Sequence, residues 1–205
     1  MVSILKMHRD DTDRGDLKIV NSALKELRYS FLVFSRYRET PKVTVYGSAR
    51  TAPENPNYEL AAEFANLMSD THQWMVVTGA AQGIMEAGHE GAGREHSMGL
   101  NILLPFEQAA NPIIAGDPKL VHMKYFFTRK LMFVKECSAV VCLPGGFGTL
   151  DEALETLTLM QTGKQTVLPL VLLDHENGSY WSDLGGFIEK QLLNNGMISP
   201  EDVHL

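Results

Sequence analysis

Residues 138–161 read SAVVCLPGGFGTLDEALETLTLMQ and predict a strand, a glycine-rich turn and a helix, in that order. The apolar run 139–143 is rich in β-branched residues and stops at Pro-Gly-Gly, which is typical of a buried strand. The turn 144–149 has three glycines in four positions. Apolar residues then recur at helical spacing, at Leu150, Leu154 and Leu157. No Gly or Pro interrupts this pattern before Gly163.

This order of elements suits the binding of a phosphate group. The N–H groups in the first turn of a helix lack backbone partners, and the helix dipole makes that end positive. Glycines let the backbone approach an anion closely. A tight turn without a ligand needs only one glycine, so the richer turn favours a phosphate site formed by Gly145, Gly146, Gly148 and Thr149.

Two interpretations of Glu152 follow from its position. Thr149 and Glu152 have the spacing of a capping box, in which both side chains serve only the backbone at the helix terminus. However, Asp151 and Glu152 directly follow the predicted phosphate site, which does not itself require carboxylates. Carboxylates at that place would suit ribose hydroxyls, a water molecule or a developing cation. The spacing alone leaves both roles open.

Composition argues against several classes of function. The 205 residues are 44% hydrophobic and 21% charged, which is ordinary for one soluble globular domain. No apolar run approaches the ~18 residues of a membrane helix, and the N-terminus lacks the pattern of a signal peptide. The net charge of −7 disfavours a broad basic surface for nucleic acid. We therefore expect a cytoplasmic protein with neither nucleic acid nor a membrane as its partner.

The cysteines and histidines predict neither a disulfide nor a metal site. Cys137 and Cys142 fit free, buried thiols in a reducing cytoplasm. The seven histidines show no zinc-like spacing. The sequence therefore predicts no metal and no bound cofactor.

Strand and helix patterns alternate along most of the chain. Strands are predicted at 42–46, 74–77, 98–103, 120–125, 139–143 and 166–173, and helices at 57–69, 84–95, 127–137, 150–161 and 181–194. This alternation predicts an α/β, Rossmann-like fold, a doubly wound parallel sheet with helices on both faces. We assign residues 41–205 to this nucleotide-binding domain and residues 1–40 to an N-terminal helical extension.

Expectations for the two ends of the chain are less regular. Residues 1–16 are charged and poorly patterned, and we expect them to be frayed, whereas 16–38 predict an amphipathic helix. Residues 199–202, Ser-Pro-Glu-Asp, resemble the start of a further element. We therefore expect the chain to be short of a full C-terminus.

Three glycine-bearing turns follow predicted strand ends, at Gly47-Ser48, from Gly79 to Gly83, and at 144–149. In doubly wound folds, ligands bind at the carboxyl ends of the strands, near a switch in strand order. We therefore expect these turns to converge on one cleft, which adds Ser48, Gly79 and Gly83 to the candidate residues.

A basic pair, Arg129-Lys130, lies within the apolar and aromatic segment 125–133. Adjacent residues of a helix point about 100° apart, so one cation can face the cleft while the other is solvated. An Arg aimed at the predicted site would bind an anionic substrate firmly. A surface pair is the alternative, and the spacing does not decide between the two.

Three common signatures are absent from the sequence. The first predicted strand is followed by Gly-Ser-Ala-Arg and not by G-x-G-x-x-G, which argues against a dinucleotide dehydrogenase. There is no Walker A sequence, and Ser97 and Ser138 lack the context of a nucleophile elbow.

Residues 144–152, PGGFGTLDE, fit the pattern PGGxGTxxE and are preceded by Arg129-Lys130 in FFTRKLMF. Together they resemble the LOG ("Lonely Guy") family of cytokinin riboside 5′-monophosphate phosphoribohydrolases, once described as possible lysine decarboxylases. The resemblance runs from about residue 43 to residue 202. In the segments 46–50, 101–108 and 161–164, the sequence is similar to the longer bacterial members of this family.

The resemblance implies hydrolysis of the N-glycosidic bond of a nucleoside 5′-monophosphate, either AMP or a cytokinin riboside monophosphate. The products would be a free base and ribose 5-phosphate. The family's catalytic pair corresponds to Arg129 and Glu152, and the turn 145–149 would hold the 5′-phosphate. Lys130, Thr158 and Glu107 are the further substrate-binding candidates. The resemblance also implies a homodimer.

One turn departs from the family pattern, because Gly79-Ala80-Ala81-Gln82-Gly83 stands where the family has a triple glycine. If this turn approaches the nucleotide, affinity or base choice would differ. The altered turn also fits the alternative function, a protein of the same fold that binds a nucleotide or a phosphorylated cofactor as a carrier or sensor without hydrolysing it. A pyridoxal-phosphate lysine motif is absent, which argues against a lysine decarboxylase.

Overall fold

A sheet of six parallel strands organises the protein in the computed structural model, which describes residues 2–102 and 110–204. Within these ranges the strands are β1 (Lys42–Tyr46), β2 (Met75–Thr78), β3 (Ser97–Ile102), β4 (Leu120–Met123), β5 (Ala139–Cys142) and β6 (Leu170–Leu172). Their order across the sheet is β4-β3-β2-β1-β5-β6, and every neighbouring pair is parallel.

Seven α-helices accompany the strands in the described ranges. They are α1 (Val2–Arg9), α2 (Arg14–Ser35), α3 (Pro56–Asn66), α4 (Ile84–His96), α5 (Phe126–Glu136), α6 (Phe147–Gln161) and α7 (Tyr180–Phe187). Two of them continue into wider π-helical turns, α3 into Leu67–Thr71 and α7 into Ile188–Leu193. A 3₁₀ turn, Pro200–His204, follows at the end. No helix of the described residues combines the length and the apolar character needed to cross a membrane.

The core is divided between the two faces of the sheet. Val43 and Val45 of β1 pack on the face that carries α3 and α4. Tyr46 points to the opposite face, which carries α2, α5, α6 and α7. Because successive strand residues alternate between faces, a strand covered on both sides is buried along its whole length, as all five residues of β1 are. The predicted doubly wound α/β fold with helices on both faces is therefore confirmed.

Strand β1 lies at the switch in strand order. It pairs with β2 on one side and with β5 on the other, with Thr44 aligned to Val77 and Val140 respectively. Crossovers on either side of β1 run in opposite directions along the sheet, which leaves a crevice beyond the carboxyl ends of β1 and β5.

The N-terminus differs from the prediction. Residues 1–16 were expected to be frayed, but Val2–Arg9 form α1, although none of its residues is buried. Helix α2 is more firmly placed, because Val33 and Phe34 lie in the main core. The helix of the predicted N-terminal extension therefore packs on the sheet.

Several other elements have bounds that differ from the prediction, and α6 and β6 are two clear cases. Helix α6 begins at Phe147, not at Leu150, because the last three residues of the glycine-rich turn, 147–149, already adopt helical conformation. Strand β6 has only three residues, Leu170–Leu172, instead of 166–173. It forms one edge of the sheet, and Pro169 before it accepts a hydrogen bond from Val140 N–H at 2.9 Å but has no N–H to give.

Candidate active site

A cleft of about 510 Å³ lies at the carboxyl ends of the central strands. All three glycine-bearing turns reach it, as predicted, through Gly47, Ser48, Ala49, Arg50, Gly79, Ala81, Gly146, Phe147, Gly148 and Thr149. The rest of the lining comes from strands and helices, through Tyr46, Met85, Ile102, Phe126, Arg129, Phe133 and Glu152.

The beginning of α6 is open to this cleft. Gly146 is the N-cap residue of the helix, and Gly148 lies in its first turn. A Cβ atom added at either glycine would have no neighbour among the described residues within 4 Å. Because the first N–H groups of a helix lack intrahelical partners, this opening leaves them accessible to an anion.

Gly145 supports the turn by packing against Thr149, and it does not line the cleft. A Cβ atom at this position would clash with the hydroxyl of Thr149. On the other side, the Tyr180 hydroxyl donates a hydrogen bond of 2.7 Å to the Gly145 carbonyl oxygen. The turn is therefore fixed by close packing and by a contact from α7.

Gly83 has a similar supporting role for Ser48. Its φ of +64° lies in the left-handed region, and a Cβ atom there would clash with the Ser48 carbonyl. The same carbonyl accepts a hydrogen bond of 3.0 Å from Ile84 N–H. Gly83 thus holds the Ser48 turn against the start of α4, while Ser48 itself reaches the cleft.

Glu152 and Arg129 meet inside the cleft. Glu152, on α6, is only 5% exposed, and its Oε1 lies 3.6 Å from Arg129 Nη2. The guanidinium also lies over the rings of Phe126 and Phe133, 5.1 and 5.6 Å from their centroids. Cation–π contacts of this kind keep the arginine within the site.

Burial raises the pKa of Glu152 to about 7. The positive charges of Lys130 and Arg129 oppose this rise, and the negative charges of Glu155 and Asp151 add to it. Near neutral pH the carboxyl group therefore exists in both protonation states, which suits a group that exchanges protons during a reaction.

The capping-box interpretation of Glu152 is wrong. Gly146 is the N-cap of α6, so Thr149 already lies inside the first turn. The Oε2 atom of Glu152 is buried without a hydrogen-bond partner among the described residues. The carboxylate is therefore free of the helix terminus and belongs to the cleft.

Lys130, predicted to bind substrate, is not among the residues that line the cleft. Its Nζ lies 2.6 Å from Glu155 Oε2, 2.9 Å from Asp151 Oδ2 and 3.9 Å from Glu152 Oε2. Burial alone would lower the pKa of Lys130, but hydrogen bonds to Glu155 and Asp151 and the charge of Glu152 raise it. Lys130 is thus occupied by three carboxylates and holds α5 against α6.

Of the two remaining candidates, the structure describes only Thr158, and it does not bring this residue to the cleft. Thr158 is exposed on α6, and its hydroxyl donates a hydrogen bond of 2.7 Å to the Leu154 carbonyl. It is absent from the cleft lining. Glu107 lies outside the described residues.

The turn 79–83, which departs from the family pattern, lines the cleft although its backbone is strained. Ala80 has a φ of +61°, a conformation that costs an L-residue about 1–2 kcal/mol. Three hydrogen bonds hold it, from Ala80 N–H to Thr78 Oγ1 at 2.9 Å, from Asn111 N–H to the Ala80 carbonyl at 2.8 Å and from Asn111 Nδ2 to the Ala81 carbonyl at 3.0 Å. Gly79 and Ala81 consequently still line the cleft.

Several lining residues were not predicted from the sequence. Tyr46 and Arg50 bring polar groups, whereas Met85, Ile102 and Phe126 form an apolar wall. Tyr46 had one usable signal, because it is the last residue of the first predicted strand and directly precedes the Gly47 turn. Among the described residues there is no group of three or more His, Cys, Asp or Glu that could hold a metal ion, and Cys137 and Cys142 are free thiols.

Comparison with protein families and curated proteins relates the chain to nucleotide-cleaving enzymes. The family model described as "Possible lysine decarboxylase" matches residues 77–205. Cytokinin riboside 5′-monophosphate phosphoribohydrolase LOG7 of Arabidopsis thaliana is 33% identical over 154 residues, covering 72% of this chain and 66% of that protein. The pyrimidine/purine nucleotide 5′-monophosphate nucleosidase of Escherichia coli K12 is 29% identical over 167 residues, covering 77% of this chain and 36% of that protein.

Solved structures of the same fold include one protein described with another role. The structure of TM1055 has a TM-score of 0.53 at 24% identity and covers 80% of this chain and 89% of that one. A molybdenum cofactor binding protein from Rippkaea orientalis has a TM-score of 0.50 at 20% identity and covers 80% of this chain and 92% of that one. At these identities the similarity establishes the fold alone.

Proposed function

Because the chain belongs to the LOG family, whose family model is described as "Possible lysine decarboxylase", we propose that it hydrolyses the N-glycosidic bond of a nucleoside 5′-monophosphate. The substrates would be AMP or a cytokinin riboside monophosphate, and the products a free base and ribose 5-phosphate. The observation that carries the proposal is the Glu152–Arg129 pair, buried in the same cleft as an open helix start.

The 5′-phosphate would bind at the beginning of α6. Positive dipole character and unpaired N–H groups attract an anion there, and Gly146 and Gly148 leave the backbone uncovered. Glu152 follows Phe147 by five residues, which places the two about 7.5 Å apart along the helix axis. A ribose can bridge such a distance, with its phosphate at the turn and its ring near the carboxylate.

The base would lie against the apolar wall of the cleft. Met85, Ile102 and Phe126 line this part, and a flat heteroaromatic ring buries its faces well against such side chains. The strained Ala80 turn forms the adjacent wall through Gly79 and Ala81. Base choice would therefore depend on this departure from the family's triple glycine.

The chemistry follows from charge. Breaking the C1′–N bond sends the electron pair to the base and leaves positive charge on the sugar, as in glycoside hydrolysis. Glu152 would stabilise that cation through the ribose hydroxyls or take a proton from the attacking water. Arg129 remains protonated, so its role is electrostatic, on the phosphate or on the leaving base.

The test is release of ribose 5-phosphate and base from AMP, GMP, CMP and an isopentenyl-adenine nucleotide. We expect Glu152→Gln to lower kcat at least about 100-fold on the preferred substrate, since it removes the acid–base group but keeps the side-chain shape. Glu63→Gln, on the exposed face of α3, is the matched control and should retain full activity. Normal turnover by Glu152→Gln would refute the assigned role.

The same assay distinguishes hydrolysis from the non-hydrolytic alternative. A carrier or sensor would bind AMP or a phosphorylated cofactor tightly without releasing base, and this result would replace the hydrolase proposal. No observation on the cleft favours that alternative over hydrolysis, since a carrier does not require a buried carboxylate beside the sugar.

We also propose that the chain forms a homodimer in the cytoplasm. Support comes from large apolar side chains exposed on the neighbouring helices α2 and α5, namely Ile19, Leu24, Phe31, Phe127 and Leu131. Exposed apolar surface of this kind is typical of a subunit interface.

A further inference from the structure

Three buried polar atoms lack a hydrogen-bond partner among the described residues, and all three belong to side chains that line the cleft. They are the Tyr46 hydroxyl, Arg129 Nε and Glu152 Oε2. Buried polar groups are nearly always hydrogen-bonded, so the clustering of these exceptions indicates that the cleft receives a polar molecule. The proposed hydrolysis already uses Arg129 and Glu152, whereas it gives Tyr46 no role.

Everything in Tyr46 except its hydroxyl is held in place. The residue ends β1 and is only 6% exposed. Its carbonyl accepts a hydrogen bond of 2.9 Å from Leu143 N–H. Its ring packs edge to face on Phe133, with centroids 5.1 Å apart and planes at 74°. Tyr46 is therefore a rigid support that presents one hydroxyl group on the sheet face covered by α5 and α6.

This hydroxyl is a donor that feels the charge of Glu152 but makes no hydrogen bond to it. Burial, and next the charge of Glu152, raise the pKa of Tyr46 well above its ordinary value. The group consequently keeps its proton near neutral pH and can donate a hydrogen bond. Since both polar atoms lack partners and both residues line the cleft, a single oxygen atom between them would satisfy both.

We propose that Tyr46 is a catalytic residue, whose hydroxyl donates a hydrogen bond to a hydroxyl-type oxygen that in turn donates to Glu152 Oε2. The proposal rests on the hydrolase function inferred above. The oxygen belongs either to the attacking water or to a ribose hydroxyl, and both have this chemistry. Tyr46 would fix the position of that oxygen relative to C1′.

The atoms balance in either case. The water oxygen forms a bond to C1′ as the C1′–N bond breaks, and the electron pair leaves with the base. One water proton passes to the Glu152 carboxylate, and the base takes up one proton, so that no net proton is consumed. Tyr46 keeps its own proton throughout.

Tyr46→Phe is the decisive variant because it keeps the ring contact with Phe133 and removes only the hydroxyl. We expect kcat/KM on AMP to fall at least about tenfold, mostly through kcat. The melting temperature should be unchanged or higher, since an unpaired buried hydroxyl does not stabilise the fold. A hydroxyl with a merely structural role would instead give a lower melting temperature.

Tyr58→Phe is the matched control. The Tyr58 hydroxyl donates a hydrogen bond of 2.8 Å to Glu90 Oε2, on the opposite face of the sheet. Its loss should lower the melting temperature and leave kcat/KM unchanged, which is the reverse of the pattern expected for Tyr46→Phe.

Two substrate analogues identify the oxygen. If a ribose hydroxyl is the partner, the ratio of wild-type to Tyr46→Phe activity should shrink to about one on 2′-deoxy-AMP or on 3′-deoxy-AMP. If water is the partner, the ratio should persist on both analogues. Either result supports the proposal and selects one source.

Equal kcat/KM for wild type and Tyr46→Phe on AMP would overturn the role of Tyr46 while leaving the hydrolase function intact. A lower melting temperature with a parallel loss of active protein would also overturn it. Wild-type protein that releases no base would contradict the hydrolase function itself. In that case AMP binding by calorimetry replaces turnover, and equal affinity of the two proteins overturns the contact.

Discussion

Among single residues, Glu152 links burial most directly to reaction rate. Its side chain is nearly inaccessible, and burial raises the pKa of its carboxyl group to about 7 although two cations lie nearby. A carboxylate that accepts a proton or stabilises a sugar cation must be ionised, so the active fraction of the enzyme depends on pH in the neutral range.

We predict that kcat/KM on AMP rises with pH and levels off above a midpoint near 7, the pKa of the Glu152 carboxyl. Below this pH the carboxyl is protonated and inactive as a base. Initial rates between about pH 5 and pH 9, in buffers of constant ionic strength, measure the profile. A rate that falls as pH rises through 7 would instead assign Glu152 the role of a proton donor.

The same shift affects stability with the opposite sign. The pKa of this carboxyl is raised from 4.5 in the unfolded chain to about 7 in the folded protein. Between these values the folded state holds a proton that the unfolded state has released, so the contribution of Glu152 to stability falls as pH rises through that window. Glu152→Gln should remove this part of the pH dependence of the melting temperature.

The sequence predicted some of these residues and missed others for physical reasons. The motif identified Arg129 and Glu152, whereas Lys130, also predicted to bind substrate, is absent from the cleft lining because three carboxylates hold its ammonium group. The catalytic roles of Arg129 and Glu152 remain predictions. Tyr46 was missed because a tyrosine at the end of an apolar strand reads as core, and only the folded structure reveals that its hydroxyl has no partner.

At the scale of elements, α5 depends on a residue from another helix. Its N-cap residue, Tyr125, makes no side-chain capping bond. Instead Glu26 of α2 accepts hydrogen bonds from Lys124 N–H at 3.1 Å and from the Thr128 hydroxyl at 2.7 Å. A carboxylate at this end of a helix is also favoured by the dipole. Because Arg129 lies in the first turn of α5, the same contact positions the arginine.

We predict that Glu26→Ala destabilises the protein by about 1–2 kcal/mol, because it removes two hydrogen bonds to a charged carboxylate. It should also lower kcat/KM severalfold, since the start of α5 is no longer fixed. Chemical denaturation and AMP turnover measure the two effects. Glu39→Ala, an exposed glutamate beyond the end of α2, serves as control and should change neither. Unaltered stability of Glu26→Ala would contradict a role of these two hydrogen bonds in fixing the start of α5.

The positions at which helices and strands begin and end depend on contacts that the hydrophobic periodicity of the sequence does not reveal. The strand–turn–helix order of residues 138–161 was predicted, yet the helix begins three residues early, with Gly146 as its N-cap and Gly148 in its first turn. Strand β6 is short because only three residues pair with β5, at the sheet edge. Helix α1 was missed because it buries none of its residues and so has no core-facing stripe.

On the scale of the whole molecule, one flank of the sheet remains apolar at its surface. Leu24 on α2 and Leu131 on α5 are 52% and 47% exposed. The two helices pack side by side, as the Glu26–Thr128 bond and the Phe31–Lys135 contact of 5.3 Å indicate. A second copy of the chain would cover this surface in the proposed homodimer.

We predict that light scattering after size-exclusion chromatography gives twice the mass of one chain, and that Leu131→Lys shifts it to the mass of one chain. A buried lysine at an apolar interface is costly to desolvate. Leu67→Lys is the control, because Leu67 is similarly exposed on the opposite side of the sheet and should leave the mass unchanged. A monomeric wild-type protein at micromolar concentration would exclude the homodimer.

The position of β1 has a practical consequence for any shortened version of this protein. The family model matches only residues 77–205, whereas β1 ends at Tyr46 and separates β2 from β5. A fragment excised at the start of that match would keep the glycine-rich turn but lose β1 and the first two residues of β2. The unpaired backbone N–H and C=O groups of the two newly exposed strand edges could pair with other chains. Such a fragment is therefore expected to aggregate when expressed.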